Sequence, residues 1–521
     1  MGKLVIELIE NEYWYGGVVN DGYLFPLSAQ DTYKINFYEN KTFNQINPIF
    51  LSNKGRFFFL NKAGIVEFDC GKIYIEAEEI EYDKVGNDLK SVHQFIANKY
   101  FGYNGVMPNE ILFKNPQLCT WIELKAELTQ EKILNYAEGY VKAGYKAGLF
   151  IVDYCWFNEI GNWAFDKERF PNAKYMIRKL HEYGFKVSLW CVPYVDLMQK
   201  DVELLKKNNA LLTDENKEFV MAENWNGDNK SYYVLNFSND YAKEWFLSQI
   251  SNLRKEYEID GLKLDFGDEQ FLTSRDVNGN AINGYWTEVV DNKDDDFILE
   301  LRSCYKNTNK KSIQRLADKA HRWGVEFVEC DSFAEGGYMS YGLSAVIPNI
   351  LTQGLCGYIY GCPDMVGGGI GHEEARCKKE ELLVRYCQTC TIMPSWQFSL
   401  SYWNHASDKV KNCMKDCVNL RERFVDYIIE LLNEGKFTGV PVIRYMEYEF
   451  PNQGFEKLVS QYMLGDKYII SPVLEKGQIK KKVYLPSGAR WKNYFTGEEV
   501  SSLEIECDVD LDSLLIFERI N

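Results

Sequence analysis

The chain has 521 residues, of which 46% are hydrophobic and 15% aromatic, so it can bury a large core and more than one domain. Its formal net charge of −17 argues against a nucleic-acid partner, because phosphates bind to basic surfaces. No run of about eighteen apolar residues is present to cross a bilayer. A small polar molecule is therefore the expected partner.

The first 95 residues predict a β-rich region. The segments TYKINFY, RFFFLNKAGIVEF and KIYIEAEEIEY alternate or run apolar, and turns with Gly, Asn and Lys separate them. We therefore expect an N-terminal β-sandwich over residues 1–95.

From about residue 116 the pattern changes to strands that alternate with helices. The segment EKILNYAEGYVKAG has helical spacing and ends at Gly144, and the apolar LFIVDY follows it. A second helix, NAKYMIRKLHEYG, precedes KVSLWCVPY, and Asn239 caps a third helix before IDGLKLDFG. Apolar strands that alternate with amphipathic helices predict a parallel sheet covered by helices.

Each of these strands ends on a polar or aromatic residue, namely Asp153, Trp190 or Asp265, and Asp364 follows a further apolar segment, GYIYGC. In an eight-stranded α/β barrel the carboxyl ends of the strands share one face, where active sites lie. The sequence therefore predicts a (β/α)8 TIM barrel over residues 96–437, with these side chains around one site. A polar run over 272–296 predicts a long loop on the same face.

The last part of the chain returns to strands and turns. A helix is expected over about 408–434, and the segments GVPVIRYMEYEF, KYIISPVLEKG, KKVYLPSGARWKNYF and SLLIFERI follow it. This pattern predicts a C-terminal β-sandwich over residues 438–521.

The amino terminus and the cysteines predict a cytoplasmic protein. Acids interrupt the first residues, MGKLVIELIENEYWYGG, where a secretory leader would be apolar. The 14 cysteines show no disulfide pattern, so we expect them to be reduced. Cys413 and Cys417 have no second ligand pair beside them and do not predict a zinc site.

Several segments, in order along nearly the whole chain, resemble glycoside hydrolase family 31. They are GRFFF, CTWIEL, the stretch from IVDYCWFNEIG to LWCVPYV, GLKLDFGD, CPDMVGGG, MPSWQFS, and YIISPVLEKG with VYLPSGARW. The similarity is to the bacterial branch related to myogenesis-regulating glycosidase, which includes α-galactosidases. It implies a retaining α-glycosidase, which uses two carboxyl groups about 5 to 5.5 Å apart and no metal or cofactor.

The resemblance places the nucleophile on Asp265 and includes Lys263, in the same segment, among the substrate-binding residues. The residue pattern agrees, because a carboxylate at a strand end is held rigidly and Phe266 and Gly267 after it let a substrate approach closely. The alternative is a solvated strand end. Asp268 and Glu269 are expected to face solvent or to support the site from behind.

The second carboxylate is less well defined. In the family an Arg-Ser pair precedes the acid/base by sixteen positions, and Arg302 and Asp318 have this spacing. We therefore expect Asp318 to be the acid/base and Arg302 to bind sugar. Helical spacing over 312–323 instead allows an ordinary helix with Asp318 on its surface. An extra segment after Trp323 carries two other candidates, Asp331 and Glu335.

Further residues are expected to bind the sugar. Asp153 ends its strand and can accept hydroxyl protons, and Asp364 lies in a glycine-rich turn. Trp156, Trp163 and Trp190 offer stacking faces, and at least one of them is expected to pack in the core. Gln397 and His372 are further candidates.

The predicted activity is the exo-acting hydrolysis of terminal α-linked hexosides, with an α-galactoside favoured. The alternatives are an α-glucosidase or α-xylosidase of the same family, a transglycosylase, and a non-catalytic protein that binds or senses sugars. No nucleic-acid or membrane partner is expected, and a homo-oligomer is left open.

Overall fold

The computed structural model of the chain describes residues 2–38, 43–223, 230–268, 272, 282–292, 295–329, 337–370 and 379–520. Its amino-terminal part forms two antiparallel sheets, as the β-rich pattern predicts. One sheet has the strand order Gly2–Glu7, Lys72–Ala77, Gly64–Asp69 and Tyr33–Asn36. The other is built on Gln45–Ser52, which is buried along its whole length and pairs with Trp14–Val18 and Arg56–Leu60; Ile80–Lys84 follows on the far side.

The middle of the chain forms the predicted barrel. Its strands, numbered here barrel strands 1 to 8, are Gln117–Cys119, Leu149–Val152, Lys186–Cys191, Gly261–Leu264, Ile298–Leu301, Ile313–Arg315, Gly361–Cys362 and Gln397–Phe398. Strands 1 to 7 pair in parallel in chain order, and strand 8 pairs with strand 1. A bridge between Met365 and Gln397 brings strands 7 and 8 together, so the barrel is nearly closed.

The helices around the barrel begin where the sequence predicts them. Thr129, Asn172, Asn239 and Ser407 each accept a hydrogen bond from a backbone N–H of the helix that follows, which satisfies a donor of the first turn. The main helices are Leu89–Ile96, Gln130–Lys142, Ala173–Glu182, Val202–Lys207, Asp240–Tyr257, Ile282–Glu288, Val346–Leu355, Glu380–Cys390 and Asp408–Thr438. None of the helices in the described ranges combines the length and apolar character that a bilayer span requires.

The helix that spacing allows over 312–323 is not formed. Residues Ile313–Arg315 are barrel strand 6, and residues 316–319 have no regular structure. The connection between barrel strands 5 and 6 contains a two-residue strand, Cys304–Tyr305, which pairs with the amino-terminal strand Gln45–Ser52. After strand 6 the chain forms a hairpin of Val325–Glu329 and Gly337–Tyr341.

The last part of the chain forms antiparallel sheets on a separate apolar core. A six-stranded sheet has the order Ile443–Arg444, Tyr462–Leu464, Tyr468–Ser471, Leu515–Arg519, Trp491–Asn493 and Glu499–Val500. Lys480–Tyr484 pairs with Glu504–Asp508. The domain boundaries at residues 95/96 and 437/438 stay predictions.

Candidate active site

Asp265 follows barrel strand 4 directly and is fixed at the carboxyl end of the barrel. Its backbone N–H donates to the carbonyl of Cys191 on strand 3 at 2.9 Å. The next two residues, Phe266 and Gly267, have φ angles of 54° and 84°, so the chain turns sharply away. A Cβ atom on Gly267 would lie 2.7 Å from Cδ1 of Trp286, so this turn requires glycine.

The Asp265 carboxylate is buried and is surrounded by donors. Trp190 Nε1 donates to Oδ2 at 2.9 Å, and Arg315 Nη2 donates to Oδ1 at 3.1 Å. Lys263 Nζ lies 3.9 Å from Oδ2 and Arg302 Nη1 lies 3.6 Å from Oδ1. Burial raises the pKa of Asp265, but the cations, with Lys263 the strongest, outweigh it and hold the pKa well below its usual range. The carboxylate is therefore ionised, as a nucleophile must be.

Asp318 lies opposite Asp265, three residues after the end of barrel strand 6. Arg315 Nη1 donates to its Oδ1 at 2.6 Å, and Arg302 Nη1 lies 3.6 Å from its Oδ2. Because Arg302 Nη1 is also 3.6 Å from Asp265, the two carboxylates lie within twice that distance of each other. This limit accommodates the separation of about 5 to 5.5 Å in retaining glycosidases. The Asp318 side chain is 25% exposed, against 7% for Asp265.

Arg315, which the sequence did not single out, is the central cation of the site. Its side chain has no exposed surface and contacts four acids. Besides Asp265 and Asp318, it donates to Asp364 at 2.8 Å, and its Nε lies 3.3 Å from Glu300. Burial raises the pKa of Asp318, but Arg315 and then Arg302 outweigh it, so this pKa lies below its ordinary value. The structure therefore favours the base form of Asp318.

Asp153 and Lys263 form a buried pair beside Asp265. Asp153 follows barrel strand 2, and its Oδ2 lies 2.7 Å from Lys263 Nζ. Both side chains are at most 4% exposed. Arg302 stands on the other side of Asp265, 3.2 Å from Asp268 Oδ2. Asp268 is buried, so of the two expectations for it, the solvent-facing one is wrong.

The three tryptophans predicted as stacking faces are all buried. Trp190 is a hydrogen-bond donor to Asp265, so it orients this carboxylate. Trp156 is fully enclosed, donates to the Trp190 carbonyl at 2.9 Å and packs with its ring 6.2 Å from that of Trp163. Trp156 and Trp163 therefore pack behind Trp190, and a stacking role for any of the three tryptophans stays a prediction.

Asp364 and Gln397 are fully buried, and their predicted role in sugar binding stays a prediction. Asp364 has no exposed surface, and its Oδ2 accepts from the backbone N–H groups of Lys319 and Gly369 at 2.7 and 3.1 Å. Gln397 is also fully buried and donates to Glu300 at 3.0 Å. Asp364 thus accepts a hydrogen bond from Arg315, and Gln397 donates one to Glu300. Of the other candidates, Glu269, Asp331, Glu335 and His372 lie outside the described residues.

The site holds acids and bases in one buried network. The acids are Asp153, Asp265, Asp268, Glu300, Asp318 and Asp364, and the bases are Lys263, Arg302 and Arg315. Burial raises the pKa of Glu300 to about 7, against the attraction of Lys263 and Arg315. Across the described ranges, no group of three or more His, Cys, Asp and Glu side chains has the arrangement of a metal site. The three cations therefore lie among six acids and contact all of them.

An α/β barrel that holds two carboxylates beside a shared arginine at the carboxyl ends of its strands has an arrangement that suits a glycosidase. The family model "Glycosyl hydrolases family 31 TIM-barrel domain" matches residues 114–322, and "Glycosyl hydrolase family 31 C-terminal domain" matches residues 439–521. The chain belongs to glycoside hydrolase family 31.

Known members resemble the chain over most of its length. Myogenesis-regulating glycosidase of Mus musculus is 27% identical, over 85% of this chain and 61% of its own length. Alpha-xylosidase XylQ of Lactiplantibacillus pentosus is 23% identical, over 87% and 59%. The structure of the Flavobacterium johnsoniae dextranase FjDex31A, complexed with glucose, shares the fold with a TM-score of 0.83 at 19% identity, over 99% of this chain and 66% of that one. The chain thus spans about three fifths of the length of these two curated relatives.

Proposed function

We propose that the protein is a retaining α-glycosidase that removes terminal α-linked sugars. The observation that carries this proposal is the carboxylate pair of Asp265 and Asp318, which share the guanidinium groups of Arg302 and Arg315. The distances to Arg302 allow the separation of a double displacement, in which an enzyme carboxylate rather than water first attacks the sugar, and the family resemblance favours this retaining mechanism.

Asp265 is the proposed nucleophile. Its Oδ atoms are oriented by Trp190 and Arg315, and its low pKa keeps it ionised. Its attack on the anomeric carbon forms a β-linked glycosyl-enzyme and breaks the bond to the leaving oxygen. The resulting charge on the sugar in the transition state is stabilised by the same carboxylate.

Asp318 is the proposed acid and base. In the first step it protonates the leaving oxygen. In the second step it takes a proton from the water that attacks the anomeric carbon, and the bond from this carbon to Asp265 breaks, which frees the carboxylate and restores the α configuration. The arginines favour its ionised form in the absence of a sugar. A bound sugar that excludes water from the 25% exposed side chain raises its pKa and supplies the acid form.

An α-galactoside is the substrate that we favour, since the chain resembles the branch that contains α-galactosidases. The named activities of the relatives also include an α-xylosidase and a dextranase, so α-xylosides and α-glucosides are the alternatives to test. Asp153, paired with Lys263 beside the nucleophile, is the carboxylate placed to accept hydroxyl protons of the reacting sugar.

Hydrolysis of aryl α-galactosides, α-glucosides and α-xylosides by four proteins tests the proposal: the wild type, Asp265→Asn, Asp318→Asn and Asp331→Asn. We expect Asp265→Asn to abolish turnover. Loss of the true acid should slow poor leaving groups most and activated aryl groups least. NMR of the first-formed sugar should show the α anomer.

A matched control is Asp260→Asn. Asp260 lies just before barrel strand 4, at the end opposite Asp265, where it contacts His181 and Lys186. This variant should lose stability and keep its leaving-group dependence. Wild-type protein that cleaves none of the glycosides, or that releases the β anomer, would overturn the proposal.

A further inference from the structure

Two amide side chains of the amino-terminal part of the chain contact the barrel beside the candidate active site. Asn44 and Gln45 stand at the start of the strand Gln45–Ser52, and their exposed fractions are 1% and 0%. Asn44 has a φ angle of 73°, in the left-handed region where asparagine is favoured among non-glycine residues. Backbone and side chain both account for the residue type here.

Asn44 contacts the segments that carry both arginines and the proposed acid. Its Nδ2 donates to the carbonyls of Arg302 and Arg315 at 2.9 and 3.2 Å, and its Oδ1 accepts from the backbone N–H of Ala317, next to Asp318. Its own backbone N–H donates to Asp268 Oδ1 at 2.9 Å. Both polar side-chain atoms of Asn44 therefore bond to the backbone at the ends of barrel strands 5 and 6, which carry the site.

Gln45 repeats the same contacts from the next position. Its Nε2 donates to the carbonyls of Arg302 and Arg315 at 2.8 and 2.9 Å. Its Oε1 accepts from Gln353 Nε2 at 3.0 Å, which fixes the amide orientation. The two arginine carbonyls thus each accept from two amides.

These contacts take the place of the helix that a (β/α)8 barrel would have between strands 5 and 6. No helix separates barrel strands 5 and 6, and the residues between them pair with the amino-terminal strand through Cys304–Tyr305 and Gln45–Ile46. The segment over 302–319 is consequently held on two sides, by barrel strands 5 and 7 and by the amino-terminal sheet.

We propose that Asn44 and Gln45 are positioning residues for acid/base catalysis, acting through the backbone of Arg302, Arg315 and Ala317. The inference rests on the proposed function of Asp318. If Asn44 is removed, the two arginines and Asp318 are less firmly fixed, whereas the nucleophile stays on its own strand, tied to Cys191 and Trp190. Proton donation should therefore suffer more than nucleophilic attack.

Asn44→Gly is the test variant, because glycine tolerates the φ angle and removes the amide. Asn47→Gly is the matched control, since Asn47 is a buried amide of the same strand that donates to the Cys356 carbonyl at 2.9 Å, away from the site. We expect Asn44→Gly to lower kcat/KM for alkyl α-glycosides at least tenfold more than for activated aryl α-glycosides. Asn47→Gly should change both equally.

Hydrogen–deuterium exchange supplies a readout that does not depend on turnover. We expect faster exchange over residues 302–319 in Asn44→Gly and wild-type exchange there in Asn47→Gly. If Asn44→Gly does not fold, Asn44→Asp replaces it, because aspartate keeps the acceptor for Ala317 and loses the donor to both arginine carbonyls.

The outcomes separate the two proposals. A wild type without glycosidase activity overturns the proposed function, and the exchange result then decides the positioning role. An active wild type with a leaving-group effect in Asp318→Asn but not in Asn44→Gly overturns the positioning role alone. Unchanged exchange over 302–319 in the Asn44 variant also overturns it.

Discussion

Replacement of Glu300 by glutamine should change how stability depends on pH. Glu300 lies inside the barrel on strand 5, 1% exposed, with its oxygens near Arg315 Nε and Gln397 Nε2. Burial raises its pKa from 4.5 to about 7 in the folded protein. The folded state therefore binds a proton that the unfolded state releases between these two values.

The sign and size of the effect follow from this shift. A raised pKa contributes stability that is fully present below pH 4.5 and is lost as pH rises through about 7. At about 1.4 kcal/mol per pKa unit, the free energy of unfolding should fall by about 2 to 3 kcal/mol between pH 5 and pH 8 because of this group. Glutamine is isosteric and cannot ionise, so Glu300→Gln should lack this fall.

Denaturant unfolding of both proteins at pH 5, 6, 7 and 8 measures the difference. We expect the variant to gain about 2 to 3 kcal/mol relative to the wild type between the two ends of this range, whatever the offset at pH 5. Comparison of the two proteins cancels the other titrating groups. Parallel curves would show that Glu300 keeps an ordinary pKa and that the reasoning is wrong.

Three further predictions concern other parts of the structure. Arg315→Met should shift the acid limb of the kcat/KM profile to higher pH, because it removes a cation that lowers the pKa of Asp265. It should also destabilise the fold by about 3 to 5 kcal/mol. An acid limb at the wild-type pH would contradict this prediction. Gly267→Ala should lower the free energy of unfolding by about 1 to 3 kcal/mol and abolish most of the turnover. The reason is that the added Cβ contacts Trp286 and that the φ angle of 84° suits glycine. A melting temperature and a kcat at wild-type values would contradict this. Asp88→Ala should lower the free energy of unfolding by about 1 kcal/mol, because Asp88 caps the helix Leu89–Ile96 by accepting from Ser91 N–H at 2.7 Å. It should leave kcat and KM unchanged, and a change in either would contradict this prediction.

The barrel and Asp265 could be predicted because both depend on local patterns. Strands buried on both faces are apolar runs, so GLKL in barrel strand 4 is visible in the sequence, and a carboxylate directly after it lies at the carboxyl end. Side chains alternate along a strand, so the placement of Lys263 two residues before Asp265 also follows from the sequence. The same alternation places Glu300 on the same face as Arg302 in FILELRS, so Glu300 could also have been predicted inside the barrel.

The role of Arg315 depends on contacts that local patterns do not contain. Its acids come from barrel strands 4, 5 and 7 and from the turn after its own strand, up to 50 positions away. The helical spacing of Ile313, Leu316 and Ala317 also concealed the strand, because burial inside the barrel overrides local propensity. Asn44 reaches Arg302 across 258 positions, so only the folded chain reveals that contact.

Mass spectrometry of a trapped glycosyl-enzyme would show whether Asp265 is the nucleophile. Fluorinated α-glycosyl fluorides of galactose, glucose and xylose slow the second step and let the covalent intermediate accumulate. We expect the protein to gain the mass of one sugar and peptide fragmentation to place it on Asp265. A sugar on Asp318 or any other residue, or turnover to the β anomer with no adduct, would contradict the account.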